Sequence, residues 1–148
     1  MNIALAGTSG GHISELRIIC EELIKKENVF YITDITERTR ALPGNNYLYK
    51  HFIRNVFAYQ YHAIRLLFYL KKNTIHCVIS NGAEIGIPAL LAARLLRIKT
   101  IFIEHISRMT QPSISGRICY YLAHCFLVQH PALLKRYGAK ASYEGAIL

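Results

Sequence analysis

The chain has 148 residues, of which 52% are hydrophobic and 18% charged, and its mean hydropathy is +0.19. This length and composition can form the core of one domain without disulfides or a metal, and they fall well short of a membrane-spanning composition. No run of about 18 uncharged apolar residues occurs, so a spanning helix is not expected. The formal net charge of +9 favours an anionic partner: a nucleic acid, an acidic membrane face or a phosphorylated ligand.

Short apolar segments alternate with helical patterns along the chain. We expect strands at 3–6, 29–33, 47–50, 76–80, 100–104, 125–129 and 142–144. We expect helices at 13–26, 36–41, 55–72, 87–97, 113–123 and 131–137, with Pro88 in the first turn of the fourth. Strands that are apolar without alternation are typical of a parallel sheet covered by helices on both faces. The sequence therefore predicts one Rossmann-like α/β domain over residues 1–148.

Four cysteines are scattered along the chain without a C-x-x-C pair: Cys20, Cys77, Cys119 and Cys125. Buried free thiols in a reducing compartment are the simplest explanation. Cys119 and Cys125 lie near His124 and His130 in the sequence, but this spacing matches no common zinc framework, so no metal site is expected. The first predicted strand starts almost at Met1 and no basic leader precedes it, so we expect a cytoplasmic protein.

The first predicted loop is rich in glycine, within the segment L-A-G-T-S-G-G-H at 5–12. Backbone N–H groups at the start of a helix favour phosphate, and glycine lets the backbone approach a ligand closely. We expect four residues to bind an anionic group: Thr8, Ser9, Gly10 and Gly11. A tight turn without a ligand is the alternative. The spacing fits neither a Walker A loop nor G-x-G-x-x-G, which disfavours a dinucleotide-binding oxidoreductase, although Asp34 after the second strand keeps that alternative open.

More polar residues follow later strands, at the carboxyl edge where open α/β sheets bind ligands. Asn81 and Gly82 follow the fourth strand, Glu104 ends the fifth, and Arg108 lies just beyond it. His12, in the first turn of the first helix, can titrate near neutrality and serve as a base or hydrogen-bond donor, or it can merely brace the turn. Glu104 can likewise act as a base or simply pair with Arg108. We expect these residues to meet in one crevice.

The predicted helix at 55–72 carries two apolar stripes. One is a core stripe: Val56, Tyr59, Ala63, Leu66, Leu67 and Leu70. The other is aromatic and has basic residues beside it: Phe57, Tyr61, Ile64 and Phe68, with Arg54 and Arg65. The second stripe favours contact with a membrane interface or a partner subunit, and burial beneath the loop at 36–46 is the alternative.

Several motifs occur together in a set order: L-A-G-T-S-G-G-H, S-N-G-A-E-I-G-I-P, I-F-I-E-H-I-S-R-M-T-Q-P-S-I-S-G-R and F-L-V-Q. With them, essentially the whole chain resembles the acceptor-side subunits of split GT-B glycosyltransferases. These include PssD/EpsE-type exopolysaccharide and capsule proteins and the membrane-anchoring subunit of the dolichol-linked N-acetylglucosaminyltransferase. The chain departs from the family pattern at His105, where a serine often follows the glutamate. It also departs at His124 and His130, where an aspartate and a tryptophan are usual.

The resemblance implies the amino-terminal half of a GT-B fold, similar to the first domain of MurG-type transferases. A separate GT-B carboxy-terminal chain would bind the UDP-sugar donor, and this chain would have little activity alone. The implied reaction is an inverting, metal-independent transfer to a polyprenyl-pyrophosphate-linked sugar, without a cofactor. It would take place at the cytoplasmic face of the plasma membrane, on an anionic surface to which the protein is peripherally bound.

Within that reaction, we expect His12 or Glu104 to be the catalytic base, with His12 preferred. Asn81, Gly82 and Arg108 would line the acceptor crevice. A non-catalytic scaffold that recruits its partner to the membrane is the alternative from another class. A nucleotide-binding oxidoreductase is a further alternative, and nucleic-acid binding rests on charge alone and is not expected.

Overall fold

The computed structural model describes residues 1–52 and 55–147. In this part of the chain, seven strands form one sheet in the order β3-β2-β1-β4-β5-β6-β7, and every neighbouring pair is parallel. The strands are β1 (Asn2–Ala6), β2 (Asn28–Asp34), β3 (Tyr47–Tyr49), β4 (Cys77–Ser80), β5 (Lys99–Ile103), β6 (Cys125–Val128) and β7 (Ala141–Tyr143). The Rossmann-like α/β fold with a parallel sheet is confirmed.

The connections are helical: α1 (Gly11–Ile19), α2 (Glu21–Lys26), α3 (Glu37–Arg40), α4 (Val56–Lys72), α5 (Ala83–Leu95), α6 (Ile114–Leu122) and α7 (Leu134–Tyr137), the last preceded by a 3₁₀ turn at Pro131–Leu133. The expected helix at 13–26 is in fact two helices. They are separated at Cys20, which leaves the helical conformation with φ −97° and ψ 17°.

The start of α5 differs from the sequence expectation. Gly82, with φ +103°, turns the chain directly from β4 into a helix that begins at Ala83. Gly86 is therefore a helical residue, packed so closely on β4 that a Cβ would lie 2.6 Å from the Ser80 Oγ. Pro88 lies in the sixth position of α5, so its placement in the first turn was wrong. There its ring removes the helical hydrogen bond that the Glu84 carbonyl would accept.

Two apolar cores lie on opposite faces of the sheet. On one face, α4, α5 and α6 pack around residues such as Leu66, Leu90 and Phe102. On the other face, α1 packs Ile13 and Leu16 against β1 and its neighbours. The sheet is thus covered on both sides, as a parallel sheet must be to hide its apolar strands. Among the described residues, no helix combines the length and the apolar character needed to cross a membrane.

All four cysteines are free thiols. Cys20, Cys77 and Cys119 are buried as expected, but Cys125 is exposed, because the first residue of β6 faces outward. Burial raises the pKa of the Cys20 thiol to about 11, so this group stays protonated and apolar. Within residues 1–52 and 55–147, no group of three His, Cys, Asp or Glu side chains is placed to hold a metal ion.

Candidate active site

The central strands β1 and β4 are neighbours, and the chain leaves them toward opposite faces of the sheet. After β1 it enters α1 on one face, and after β4 it enters α5 on the other. Gly10 and Gly82 precede these helices, with φ of +87° and +103°, and neither helix receives a side-chain cap. Such a switch point opens a crevice at the carboxyl ends of the strands, where α/β sheets bind their ligands.

His12 and Asn81 join the two sides of this crevice through reciprocal hydrogen bonds. The His12 Nδ1 lies 3.1 Å from the Asn81 carbonyl oxygen, and the Asn81 side-chain amide donates to the His12 carbonyl at 2.9 Å. A carbonyl only accepts, so Nδ1 carries the hydrogen and Nε2 is the basic nitrogen of the ring. A Cβ at Gly7 would stand 2.9 Å from the Asn81 Oδ1, so the close approach requires glycine there.

Four of the expected site residues line one cavity of about 320 Å³: His12, Asn81, Glu104 and Arg108. Gly82 lies at its wall, because a Cβ there would stand 2.8 Å from the Oγ of Ser115, a lining residue. The expectation that loops after β1, β4 and β5 converge in one crevice is therefore correct for these positions.

The glycine-rich loop itself lies differently from what we expected. Ser9 and Gly10 line a second cavity, of about 470 Å³, which they share with Arg17 and Arg38. Gly11 remains near the first cavity, where a Cβ would stand 3.6 Å from the His105 Nε2. The loop therefore does not present all its residues to the crevice that holds His12.

Asp34, at the end of the neighbouring strand β2, fixes the conformation of the glycine-rich loop. The Asp34 carboxylate accepts hydrogen bonds from the backbone N–H of Ser9 at 2.5 Å and from its hydroxyl at 2.7 Å. The Thr8 carbonyl accepts from the N–H of Ile13, in the first turn of α1. Asp34 thus holds the conformation of the loop. This role accounts for an aspartate after the second strand, the residue for which the sequence had left a dinucleotide-binding site as an alternative.

Glu104 is 1% exposed and its carboxylate is surrounded by donors. One oxygen accepts from the His105 N–H at 3.2 Å, and the other accepts from the N–H and hydroxyl of Ser113, both at 3.2 Å, and from the Tyr137 hydroxyl. Among the described residues, no ion pair joins Glu104 to Arg108. The carboxylate anchors both ends of the loop between β5 and α6.

The His12 imidazole is held in its neutral form. Burial lowers the pKa of His12 below its ordinary value of 6.5 because the charged form is poorly solvated there, and the positive charge of Arg108 acts in the same direction. The neutral ring is therefore the resting form at neutral pH. A general base must start in that form.

Two residues at the crevice were missed in the sequence. Glu84, in the first turn of α5, lines the cavity, and its carboxylate lies 2.5 Å from the His51 Nδ1. Burial raises the pKa of Glu84. Glu15, one turn beyond His12 in α1, is buried and contacts His105. Glu84 could have been found from the sequence, because it is the one charged residue in the segment S-N-G-A-E-I-G-I-P. Nothing in the sequence near Glu15 indicates that it is buried.

The three histidines that depart from the family pattern lie in different places. His105 lines the crevice, and His130 supports the same loop, with its Nε2 2.7 Å from the Ile106 carbonyl oxygen. His124 precedes β6 at the opposite end of the sheet, where its Nδ1 accepts from the Thr100 N–H at 3.1 Å. Only the first of these can touch a ligand in the crevice.

The outer surface of α4 is apolar and exposed. Phe57 is 81% and Phe68 69% exposed, and Tyr61 and Ile64 between them are also exposed. The Tyr61 hydroxyl accepts from the Arg65 guanidinium at 3.3 Å. The loop at 36–46 does not cover this stripe, so that alternative was wrong. Arg54, expected beside it, lies outside the described residues.

The inner surface of α4 largely follows the expected core stripe. Ala63, Leu66 and Leu70 are buried. Val56, the first residue of the helix, is exposed instead. His62, which was not expected in the core, is buried and its Nδ1 lies 2.8 Å from the Tyr47 hydroxyl.

A family model described as "Oligosaccharide biosynthesis protein Alg14 like" matches residues 36–147. The human UDP-N-acetylglucosamine transferase subunit ALG14 is 34% identical over 77 residues, which cover 48% of this chain and 35% of the human protein. The subunit of the same name from Eremothecium gossypii is 33% identical over 79 residues, covering 49% of this chain and 35% of that protein. The matched part thus spans about a third of the length of these curated relatives.

Solved structures share the fold over the whole chain. MurG of Acinetobacter baumannii aligns with a TM-score of 0.72 at 14% identity, covering 100% of this chain and 46% of that one. A UDP-GlcNAc 2-epimerase of Methanocaldococcus jannaschii aligns with a TM-score of 0.75 at 15% identity, covering 99% of this chain and 47% of that one. At such identities the likeness shows the fold alone, which is that of about half of a GT-B protein.

Proposed function

Because this chain belongs to the Alg14-like family of oligosaccharide biosynthesis proteins, we propose that it is the acceptor-binding subunit of a two-chain inverting glycosyltransferase. Curated relatives are named as subunits of a UDP-N-acetylglucosamine transferase. The fold supports the proposal, since it amounts to about half of MurG. A second chain, with the remaining half of a GT-B fold, would bind the UDP-sugar.

The observation that carries the proposal is a histidine held as a neutral base on a ligand-binding crevice. The Asn81 carbonyl fixes the His12 tautomer, and burial keeps the ring unprotonated. In the reaction, an acceptor hydroxyl oxygen forms a bond to the anomeric carbon of the donor sugar. The bond from that carbon to UDP breaks on the opposite face, and UDP leaves with the electron pair. The His12 Nε2 takes the hydroxyl proton as the new bond forms.

The crevice offers groups suited to an anionic acceptor. Arg108 is an exposed cation on its rim, and the start of α5 beyond Gly82 has no side-chain cap. Guanidinium groups and free helix N-termini both favour phosphate oxygens. We therefore propose a polyprenyl-pyrophosphate-linked sugar as acceptor, with Glu104 holding the loop that carries Arg108 rather than meeting the substrate.

The exposed stripe on α4 supports a peripheral position on a membrane. Four large apolar side chains accompanied by Arg65 fit the interface of a bilayer whose surface is anionic. We propose the cytoplasmic face of the plasma membrane as the location and exopolysaccharide or capsule assembly as the pathway. The lipid tail of the acceptor would stay in the bilayer while its head group reaches the crevice.

The proposal is tested by co-expressing this chain with a candidate donor-binding chain and assaying the two together. Labelled UDP-GlcNAc is offered with a polyprenyl-pyrophosphate-linked GlcNAc acceptor in detergent and in vesicles. We expect the two chains to co-purify and product to form only when both are present. Failure to associate in both membranes and detergent would overturn the proposal.

Two variants separate catalysis from a purely recruiting role. His12→Ala and Glu104→Gln are assayed in the reconstituted pair against the wild type. We expect His12→Ala to abolish most of the transfer while the chains still associate. Wild-type turnover in both variants would instead assign the chain a scaffold function, and binding of NAD(P) by the chain alone would point to an oxidoreductase.

A further inference from the structure

Glu15 is a buried carboxylate that ties three separate parts of the crevice together. It lies on α1, one helical turn beyond His12, and is 5% exposed. One oxygen lies 2.9 Å from the His105 Nε2, and the other accepts from the Gln129 amide at 2.5 Å and from the Ile106 N–H at 3.2 Å. The three donors come from the loop after β5 and from the end of β6. A buried charge with this many donors holds a geometry rather than meeting solvent.

His105 links this carboxylate to His12. The backbone N–H of Ser107 donates to the His105 Nδ1 at 3.2 Å, so Nδ1 accepts and Nε2 carries the hydrogen that points to Glu15. In this tautomer His105 is neutral. Its ring packs against the ring of His12 with 4.4 Å between centroids and 58° between planes. The two imidazoles are thus in contact, and only one of them has a nitrogen left free to take a proton.

Other charges face the same rings from neighbouring elements. Arg108 lies on the rim, from the loop after β5, and Glu84 lines the crevice from α5 with its own partner, His51. The Glu104 carboxylate accepts instead from His105 and Ser113 of the loop after β5 and from Tyr137 on α7. Glu15 is therefore the carboxylate whose charge reaches His12 through a ring in contact with it.

We propose that Glu15 and His105 form a positioning pair that fixes the ring of His12 and stabilises the imidazolium that His12 becomes when it takes the proton. This inference rests on the proposed role of His12 as the base. The neutral His105 ring offers its electron-rich π system to the new cation, and the carboxylate behind it makes that ring still richer in electrons. The N–H of Ser107 occupies the Nδ1 of His105, so the Nε2 of His12 is the ring nitrogen left free for the proton.

The kinetic test uses Glu15→Gln in the reconstituted pair, which keeps the shape of the side chain and removes its charge. We expect kcat to fall about ten- to hundredfold, by analogy with the loss seen when a group supporting a metal-bound histidine is removed, with the KM of both substrates little changed. The acidic limb of the pH profile of kcat should move to lower pH, because an imidazolium without the carboxylate loses its proton more readily. Glu22→Gln, an exposed glutamate on α2, is the matched control and should behave as wild type.

His105→Phe provides a second variant if Glu15→Gln disturbs folding. It keeps an aromatic ring against His12 but breaks the link to Glu15, and it should shift the acidic limb in the same direction. If either folded variant loses activity without any movement of the acidic limb, Glu15 and His105 have only a structural role and the proposal is overturned.

A measurement without turnover separates this inference from the proposed function. Nitrogen-15 spectra of the histidine rings in the full chain report tautomer and protonation directly. We expect His105 to show an unprotonated Nδ1, and His12 to titrate at lower pH in Glu15→Gln than in the wild type. A doubly protonated His105 beside a neutral His12 would refute the pair even if the reconstituted enzyme were active. If the wild-type complex shows no transfer, the proposed function fails while these spectra still decide the coupling.

Discussion

The crevice rim and the outer face of α4 are built in opposite ways. At the rim, Glu15, Asn81 and Glu104 are buried polar side chains with partners on other elements. On α4, Phe57 and Phe68 are large apolar side chains left in solvent. Buried polar networks fix the positions of the side chains that form them, whereas exposed apolar stripes are typical of surfaces that bind a membrane or a partner. The comparison separates the region proposed for chemistry from the region proposed for docking, and substitutions in the two should have separable effects.

The largest effect is expected from His12→Ala in the reconstituted enzyme. Loss of a general base typically slows a reaction about 10²- to 10⁴-fold, and binding to vesicles should not change because α4 is untouched. Initial rates with saturating donor and acceptor measure it. His124→Gln, at the far end of the sheet, is the control and should keep wild-type turnover. A loss below tenfold for His12→Ala would show that His12 is not the general base.

Gly116→Ala should damage the rim through packing rather than through chemistry. A Cβ at this position of α6 would collide with the Tyr137 hydroxyl and the Glu104 carboxylate. Overpacking of this kind costs about 1–3 kcal/mol of unfolding free energy, which thermal or urea unfolding can measure. Adding Tyr137→Phe removes the hydroxyl and should restore part of the loss. Arg117→Ala, the exposed neighbour, should be neutral, and equal stability of all three variants would contradict the packing described.

Phe57→Ser should weaken membrane binding without slowing chemistry on a soluble, short-chain acceptor. Withdrawing one aromatic side chain from the interface should cost about 1–2 kcal/mol, or roughly five- to thirtyfold in partitioning. Sedimentation with anionic vesicles measures it. Tyr121→Ser is a matched control, since Tyr121 is 79% exposed on α6. Equal losses in both variants would show that the docking surface is wider than α4, and no loss in Phe57→Ser would refute the membrane role of the stripe.

Arg108→Gln should have the smallest effect on kcat, but it should measurably shift the pH dependence of kcat. The positive charge of Arg108 contributes to lowering the pKa of His12. Without it the imidazolium is less disfavoured, so the pKa of His12 rises and the acidic limb moves to higher pH. This is the opposite direction from that expected for Glu15→Gln. A profile of kcat against pH checks it, with Arg117→Gln as control, and an unmoved limb would mean that the two side chains do not interact.

The features predictable from the sequence were those with local causes. Apolar strands alternating with helices predicted the parallel sheet, and the position of His12 and Asn81 after parallel strands predicted that they meet in one crevice. The aromatic stripe of α4 followed from helical spacing, since Phe57 and Phe68 lie on the same side of the helix three turns apart, whereas its exposure did not follow from spacing.

Features that depend on distant partners could not be predicted in this way. Glu15 is buried because Gln129 and His105, about a hundred residues away in the chain, satisfy its carboxylate. The displacement of Ser9 from the crevice depends on Asp34 at the end of another strand. Pro88 was misplaced because the helix start is set by the conformation of Gly82, which no periodicity reveals. Such contacts become visible only once the chain is folded.

The direction of α4 has a consequence for how an acceptor is found. Its first turns lie at the crevice, where Tyr59 lines the same cavity as His12, and the apolar stripe begins beside it at Phe57. On the proposed membrane, a domain resting on that stripe would hold its crevice close to the lipid head groups. The proposed acceptor would then arrive by lateral diffusion within the leaflet, and its encounter rate would follow its surface density rather than its concentration in solution.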